Sequence, residues 1–338
     1  MLLLSILFFA IALYSYFPAR IFIPLFTLSL VLMEIKNLIK KRVLILVIIT
    51  TAVLAAPLTG HLLFGEGLSR WRQVKTNQVT GKTFRNYLSH FSPEFLFFKG
   101  DANMPGQHVV RHSVKGVGEL YLFQLPLLII GLIVVFLKIK KMGFKVLLLW
   151  LLFYPVGTIF TEDNVPQATR SIIGVVPLQI ISAIGIVTIL KILPKKIGQT
   201  CRLLLIMVIS LSLVKFIFLY RQYPIYSSAF SGWQWGFRTI ISLFSGRQQQ
   251  YDQLLISHRF NRGEELLKFY STIIPCQKCL IASNPIKLSP NQKQLIAARE
   301  EDLKELQSNY PKINFKIIEI LNYPNQKPGF WIIEPQPS

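Results

Sequence analysis

Six residues have types and positions that suit an anionic ligand: Tyr16, Arg20, Asp101, Arg111, His112 and Arg170. Two of them flank Phe17-Pro18-Ala19, between two apolar runs. Proline ends a helix, so this segment predicts a tight corner. A guanidinium at such a corner can clamp a phosphate through a forked pair of hydrogen bonds. An interfacial aromatic belt with a snorkelling arginine explains the same residues without any ligand.

The second group of candidates lies in or beside the long segment 64–120. Loops of this length usually carry function, and residues 87–98 are amphipathic enough to lie along a membrane surface. Asp101, Arg111 and His112 follow that stretch. A carboxylate, a guanidinium and an imidazole close together can bind a polar head group or a divalent metal. A lone surface histidine is more often merely solvated, so both interpretations stay open.

The elements that must position these residues are apolar. The chain is 52% hydrophobic with a mean hydropathy of +0.46. Seven apolar stretches cover residues 2–16, 21–33, 43–63, 121–137, 146–160, 171–193 and 203–220. A membrane helix needs about 20 mostly apolar residues, and lipid cannot hydrogen-bond an open backbone. The pattern therefore predicts an α-helical polytopic membrane protein of about seven transmembrane helices, with a helical domain over 1–222 and a long outer loop at 64–120.

The net charge of +21 comes from 37 basic and 16 acidic residues. The basic residues cluster in the linkers 34–42, 138–145 and 191–202. Short linkers rich in lysine and arginine stay in the cytoplasm, whereas nucleic-acid binding needs a basic face on a soluble domain. We therefore exclude a nucleic-acid partner and predict a multi-pass cell-membrane protein. Residues 64–120, 161–170 and the tail are expected outside.

Arg170 stands out because of this orientation. It precedes an apolar stretch at the expected outer face, after a short loop that contains Glu162 and Asp163. Those carboxylates could pair with Arg170, or the three could hold a substrate. Basic residues at the outer face oppose the usual bias. The arginines at positions 20, 111 and 170 share this exception, which favours an anionic ligand.

The tail, residues 223–338, predicts a small extracytoplasmic α/β domain. Strands are expected at 254–256, 280–283, 315–320 and 330–333, and helices at 263–274 and 289–309. Ser289-Pro290 predicts the start of the second helix, since it supplies a cap followed by proline. Cys276 and Cys279 could form a disulfide or stay unpaired, and are half a zinc site at best.

Familiar enzyme signatures are missing from the sequence. It contains no glycine-rich phosphate loop, no serine nucleophile elbow and no paired-histidine zinc helix. ATP-driven chemistry is therefore not expected. An outward-facing site suits a lipid-linked donor, because nucleotide sugars do not occur outside.

Five segments nevertheless resemble one family, namely residues 12–25, 87–101, 111–132, 166–186 and 231–241. They are similar to the C-terminal two thirds of multi-pass glycosyltransferases of the C-type (GT-C) fold. The most similar branch contains the protein mannosyltransferases and the lipid A aminoarabinose transferases. The resemblance covers residues 1 to about 257 and rests on word order and spacing.

The resemblance implies a polyprenyl-phosphate-sugar donor, a lipid, glycan or protein acceptor, and contact with membrane lipids. It implies phosphate binding by Tyr16 and Arg20, and donor or acceptor contacts by Arg111, His112 and Arg170. Family members use a carboxylate of the first outer loop as catalytic base, with a divalent metal in some of them.

The chain departs from the family pattern in two places. The first outer loop with its catalytic acid is not found, so we expect a protein that lacks its N-terminal part and is inactive alone. Gln167 stands where relatives often have histidine. A transporter or flippase of lipid-linked glycans and a noncatalytic membrane scaffold are the alternatives. Transporters tend to show paired halves with charges at mid-membrane, and a scaffold would not need the outer arginines.

Overall fold

The computed structural model describes residues 2–38, 41–68, 81–101, 114–160, 166–227 and 233–337. It divides the chain into two compact units. Described residues up to Tyr220 belong to the first unit, and those from Arg221 belong to the second.

Helices build the first unit: α1 Leu2–Ser15, α2 Ala19–Leu38, α3 Lys41–Phe64, α4 Gly81–Ser89, α5 Gln124–Leu137, α6 Met142–Phe153, α7 Val175–Ile192 and α8 Lys195–Arg221. Turns of 3₁₀ helix cover Glu66–Leu68 and Ile172–Gly174, and a π-helical turn covers Glu94–Lys99.

Glycines let α5 and α7 pack closely. A β-carbon at Gly131 would lie 1.9 Å from the carbonyl oxygen of Ile181, and one at Gly185 would lie 2.0 Å from that of Leu127. The two backbones touch there, so no larger residue fits. Small residues at helix crossings are typical of membrane proteins.

The predicted architecture of about seven transmembrane helices is wrong. Among the described residues, two helical segments are long and apolar enough to cross a membrane, Ile172–Ile192 and Lys195–Ser227. The other helices contain shorter apolar segments, such as Gln124–Leu137 and Met142–Phe153. At 1.5 Å per residue these are too short for a hydrocarbon core of about 30 Å.

The sequence pattern predicted too many transmembrane helices because apolar runs continue beyond the ends of the helices into turns. The stretch 146–160 is helical only to Phe153, and the residues after it form turns. The two long helices are compatible with membrane association. None of the most apolar window of Lys195–Ser227 is buried, so that helix presents apolar side chains to its surroundings.

The second unit contains helices α9 Tyr223–Ser227, α10 Phe237–Arg247, α11 Gly263–Ser271 and α12 Glu300–Asn309. Its strands are β1 Gln253–Ile256, β2 Cys279–Ile281, β3 Gln294–Ala298, β4 Ile313–Asn322 and β5 Pro328–Pro337. They form one sheet in the order β2-β1-β3-β5-β4. Strands β1, β2 and β3 are parallel, and β5 is antiparallel to both β3 and β4.

Both faces of this sheet are covered. Leu254 and Ile256 pack in one core cluster with Phe244 of α10. Leu255, between them, packs in the other cluster with Leu306 of α12. Successive side chains of a strand point to opposite faces, so an unbroken apolar run is what a strand covered on both sides requires.

The helix predicted over 289–309 is wrong in its first half. Residues Gln294–Ala298 form β3 and are buried throughout, and the helix begins at Glu300. A short buried strand and a buried helical turn have the same apolar run, so periodicity does not separate them. The N-cap residue is Arg299, and the carboxylate of Asp302, the third residue of the helix, accepts the backbone N–H of Arg299 at 3.0 Å.

The two cysteines of the tail are joined. A disulfide links Cys276 and Cys279, and both residues are buried. Of the alternatives open from sequence, the structure has the disulfide rather than unpaired thiols. Cys201 is a free, partly exposed cysteine.

Candidate functional site

The structure describes four of the six predicted site residues, namely Tyr16, Arg20, Asp101 and Arg170. Arg111 and His112 lie outside the described residues, as do Glu162 and Asp163 of the loop before Arg170. Their predicted roles stay predictions.

Tyr16 lies at the predicted corner. Helix α1 ends at Ser15 and α2 begins at Ala19, with Pro18 between them. The hydroxyl of Tyr16 donates a hydrogen bond to the carbonyl of Thr169. Burial raises the pKa of Tyr16, and the neighbouring Arg170 guanidinium opposes that rise. The corner is therefore tied to the segment that carries Arg170.

Asp101 approaches the same segment from another part of the chain. It follows Gly100, whose φ of 59° lies in the left-handed region that favours glycine. Its side chain is 2% exposed, and Oδ2 accepts the backbone N–H of Ala168 at 3.0 Å. A buried carboxylate needs such donors to offset its desolvation.

Residues 168–170 thus bring together three predicted site residues from separate elements. Ala168 binds Asp101, Thr169 binds Tyr16, and Arg170 lies within electrostatic reach of the Tyr16 hydroxyl. We call Tyr16, Asp101, Arg170 and the neighbouring Glu119 the corner site.

Glu119 was missed by the sequence reasoning. Its Oε1 accepts the backbone N–H of Asp101 at 3.2 Å. Burial, and secondarily the negative charge of Asp101, raise the pKa of Glu119 to about 7. A β-carbon at Gly100 would lie 3.0 Å from Oε1, so glycine allows the carboxylate to approach. The available signal was an acid directly after Gly116-Val117-Gly118, since Glu119 is the one acidic residue of the sequence between positions 102 and 160.

Arg20 makes different contacts. Its Nε donates to the carbonyl of Leu13 at 3.4 Å, and its guanidinium lies 5.6 Å from the centroid of the Phe17 ring. These contacts hold Arg20 against the end of α1. The side chain of Arg20 therefore lies between the corner residue Phe17 and Leu13 of α1, beside an apolar space.

That space is a cavity of about 710 Å³ among α1, α2, α3 and α6. Leu13, the residue that accepts from Arg20, is one of its lining residues, with Ile23, Leu54 and Val146 among the others. The lining is almost wholly apolar. The hydroxyl of Thr27, which also lines it, is buried without a hydrogen-bond partner among the described residues. The cavity suits a hydrocarbon chain.

His90 is buried close to these elements and plays a structural part. Its Nδ1 lies 2.8 Å from the carbonyl of Asn86, and its Nε2 lies 2.9 Å from the hydroxyl of Thr158. Burial lowers its pKa to about 4, so the ring is neutral. Nδ1–H must then donate to Asn86, and Nε2 is an acceptor that shares the hydroxyl hydrogen of Thr158 with the Pro155 carbonyl, 2.8 Å from that hydroxyl. The backbone carbonyl of His90 accepts the hydroxyl of Tyr154 at 2.6 Å.

A divalent metal does not fit the corner site as described. Over the described part of the chain, no group of three or more histidine, cysteine, aspartate or glutamate side chains could hold a metal ion. Asp101 and Glu119 already accept backbone N–H groups. We therefore assign no step to a metal.

Comparison of the chain with protein-family models, with curated proteins and with solved structures found no match in any of the three.

Proposed function

We propose that this chain is a membrane glycosyltransferase that moves a sugar from a polyprenyl-phosphate donor to an acceptor at the outer face of the membrane. The observation that carries the proposal is the convergence of Tyr16 and Asp101 on residues 168–170, the segment that contains Arg170. The family resemblance of the sequence supports the same class of enzyme.

The corner site supplies the groups that a phosphate leaving group needs. The Arg170 guanidinium and the Tyr16 hydroxyl lie together, and a guanidinium forms strong, geometrically defined bonds with phosphate. Fixed positive charge at the position where negative charge develops lowers the barrier of a transfer reaction. Arg170 would stabilise the departing polyprenyl phosphate in this way.

The apolar cavity supplies room for the polyprenyl chain. Arg20 donates to the carbonyl of Leu13, which lines the cavity, so a cationic group would lie beside the hydrocarbon chain. Ligand sites of several hundred Å³ with mainly apolar walls are the usual size for small organic ligands.

Glu119 would take the role of the first-loop carboxylate that was not found in the sequence, and would accept the acceptor proton. The acceptor hydroxyl would attack the anomeric carbon while the bond from that carbon to the phosphate oxygen breaks. Glu119 would take the hydroxyl proton, and the phosphate would leave as an anion. A base works best when its pKa is near the working pH, and that of Glu119 is about 7.

The proposed sidedness follows from the two long helices. Their connection carries Lys191 at the end of α7 and Lys195 and Lys196 at the start of α8. A basic connection stays in the cytoplasm. Arg170, before the first of the two helices, would then be outside, and the C-terminal unit would be extracytoplasmic.

The test is binding of undecaprenyl phosphate to the purified full chain in detergent, measured by native mass spectrometry or thermophoresis. Undecaprenol serves as the control lipid with the same tail and no phosphate. The variant Arg170→Gln should weaken phosphate-lipid binding by about 10-fold or more, because a charge-assisted hydrogen bond contributes about 1.5–3 kcal/mol. Undecaprenol binding should stay the same.

Arg85→Gln is the matched control, since Arg85 is an exposed arginine of α4. It should leave both affinities unchanged. If Arg170→Gln and Arg20→Gln bind undecaprenyl phosphate as tightly as the unmodified chain, the proposal fails and a noncatalytic scaffold is favoured.

A further inference from the structure

The second long apolar segment is longer than a membrane requires. It covers the 33 residues Lys195–Ser227. As one continuous helix they would extend about 50 Å, whereas the hydrocarbon core of a bilayer is about 30 Å thick. Even a tilt of about 40°, the upper end for membrane helices, would leave about 38 Å to accommodate. Part of the segment therefore lies outside the hydrocarbon, and its side chains indicate which part.

The charged residues of the segment place the hydrocarbon between Arg202 and Arg221. Residues 203–220 would extend about 27 Å as a helix, close to the thickness of the core. Between the two arginines the sequence has one charged residue, Lys215. It lies about 9 Å along the helix from Arg221, so its long side chain can extend toward the interface at that end. The hydrocarbon therefore ends near Tyr220.

The chain that follows α8 exposes aromatic and aliphatic side chains. Helix α8 ends at Arg221 and α9 begins at Tyr223, so the two ends are at most about 7 Å apart. Ile225 is 46% exposed and Trp233 is 60% exposed. Tyr223 and Tyr226 are partly exposed. Tryptophan and tyrosine are the residues enriched where a membrane meets water.

Trp233 is held in place although it is exposed. Its backbone N–H donates to the carbonyl of Ser227 at 2.8 Å, and its indole Nε1 donates to the hydroxyl of Tyr223 at 2.8 Å. The rings of Tyr223 and Tyr226 meet edge to face, with centroids 5.6 Å apart. The exposed indole is thus positioned by hydrogen bonds, and its large apolar ring has one polar group, as suits an interface between hydrocarbon and water.

A bilayer is the covering that fits these side chains. Single exposed apolar residues are ordinary at a protein surface, but these follow directly on a helix whose side chains are exposed as well. At the end of α8, Phe218 is 61% exposed and Tyr220 is 55% exposed. A bilayer that surrounds this end of α8 would also reach α9, because the chain between them is so short.

We propose that Tyr223, Ile225, Tyr226 and Trp233, which we call the interfacial surface, insert into the headgroup region of a lipid bilayer. The second unit begins at Arg221, so it would contact the membrane through its own first residues. This inference rests on the membrane location proposed above, through α8, and does not depend on the transferase chemistry.

The experiment is fluorescence quenching of the full chain in phosphatidylcholine nanodiscs. Part of the lipid carries bromine, either close to the headgroup or near the end of the acyl chain. The contribution of Trp233 is the difference in emission between the unmodified chain and Trp233→Phe. Bromine close to the headgroup should quench this contribution about twofold more strongly than bromine near the chain end, because an interfacial indole lies at the headgroup level.

Trp331→Phe is the matched control. Trp331 lies in β5, between β3 and β4, and packs against the core cluster on one face of the sheet. The emission that this variant removes should be the same with and without bromine.

The proposal is overturned if neither lipid quenches the Trp233 contribution, or if bromine near the chain end quenches it more strongly. It is also overturned if this contribution depends on the number of chains in a nanodisc and not on the position of bromine, because a second copy would then cover the surface. No polyprenyl phosphate is present, so these outcomes are separate from those of the binding test of Arg170→Gln.

Discussion

The carboxylate of Glu119 accepts a hydrogen bond at 3.2 Å from the backbone N–H of Asp101, a residue whose own carboxylate is buried. Two acidic side chains are therefore held close together away from water. The loss of solvation, and secondarily the repulsion from Asp101, oppose ionisation of Glu119, so its pKa rises to about 7. This arrangement has a measurable effect on stability.

The first prediction concerns the pH dependence of unfolding. Glu119 binds its proton more tightly in the folded chain than in the unfolded one, where its pKa is about 4.5. Its stabilising effect is thus complete below pH 4.5 and is lost as the pH rises through about 7. The variant Glu119→Gln cannot ionise. It should gain stability relative to the unmodified chain over that window, by on the order of 3 kcal/mol.

Thermal unfolding midpoints of both chains, measured at intervals from pH 4.5 to 8, check this prediction. The companion variant Asp101→Asn removes the neighbouring charge and should move the window to lower pH. A difference between Glu119→Gln and the unmodified chain that stays constant across the range would contradict the raised pKa.

The second prediction concerns the buried pair His90 and Thr158, both of which are 0% exposed. With the Nδ1 proton donated to Asn86, the hydroxyl of Thr158 is the donor near Nε2, at 2.9 Å, and it also lies 2.8 Å from the Pro155 carbonyl. Thr158→Val keeps the shape but leaves Nε2 without a donor, which should cost about 1–3 kcal/mol. Urea unfolding measures the loss. Thr188→Val, which removes only a hydroxyl bonded to the preceding turn of its own helix, should cost clearly less.

Some secondary-structure elements could be predicted from the sequence and others could not. The strand at 254–256 was predicted from its apolar run, and the structure has Gln253–Ile256. The strand Gln294–Ala298 was not, because Ser289-Pro290 imitates a helix start and a five-residue buried run has no period of its own. Burial in the sheet, and not the local preference of the sequence, makes this segment a strand.

The residues of the corner site also fall into two groups, those that the sequence predicted and one that it did not. Tyr16 was identified from the corner at Pro18, and Arg170 because a basic residue at the expected outer face is unusual. In the structure Tyr16 donates to the carbonyl of Thr169, the residue before Arg170. Glu119 could not be identified in this manner, since its importance comes from Asp101, which is 18 positions away. The count of membrane helices failed because composition does not tell where an apolar run stops being helical.

The third prediction concerns thiol chemistry. The chain has three cysteines, and the disulfide between Cys276 and Cys279 leaves Cys201 free. In denaturant without reductant, a maleimide reagent should therefore label one thiol per chain, and after reduction it should label three. Mass spectrometry counts the labels. Three labels without reduction, in protein isolated from an oxidising compartment, would contradict the bridge.

The last prediction concerns Asp302, which is 0% exposed and accepts several hydrogen bonds at the start of α12. Its carboxylate accepts the Ser257 hydroxyl at 2.6 Å, the Arg259 Nε at 2.5 Å and the backbone N–H of Arg299 at 3.0 Å. Asp302→Ala would remove the acceptor of the Ser257 hydroxyl and of the Arg299 backbone N–H at the start of the helix, while Arg259 would keep only Glu305 at 3.4 Å. We expect a loss of about 3–5 kcal/mol, as for other broken buried ion pairs.

Ser257→Ala separates the parts of this network. It removes one buried hydroxyl but keeps the ion pair and the cap, so it should cost about 1–3 kcal/mol. The double variant should then lose less than the sum of the two single losses, because both changes remove the same hydrogen bond. Denaturant unfolding followed by tryptophan fluorescence gives all three values. Strict additivity would show that Ser257 and Asp302 act independently, which a 2.6 Å hydrogen bond between their side chains does not allow.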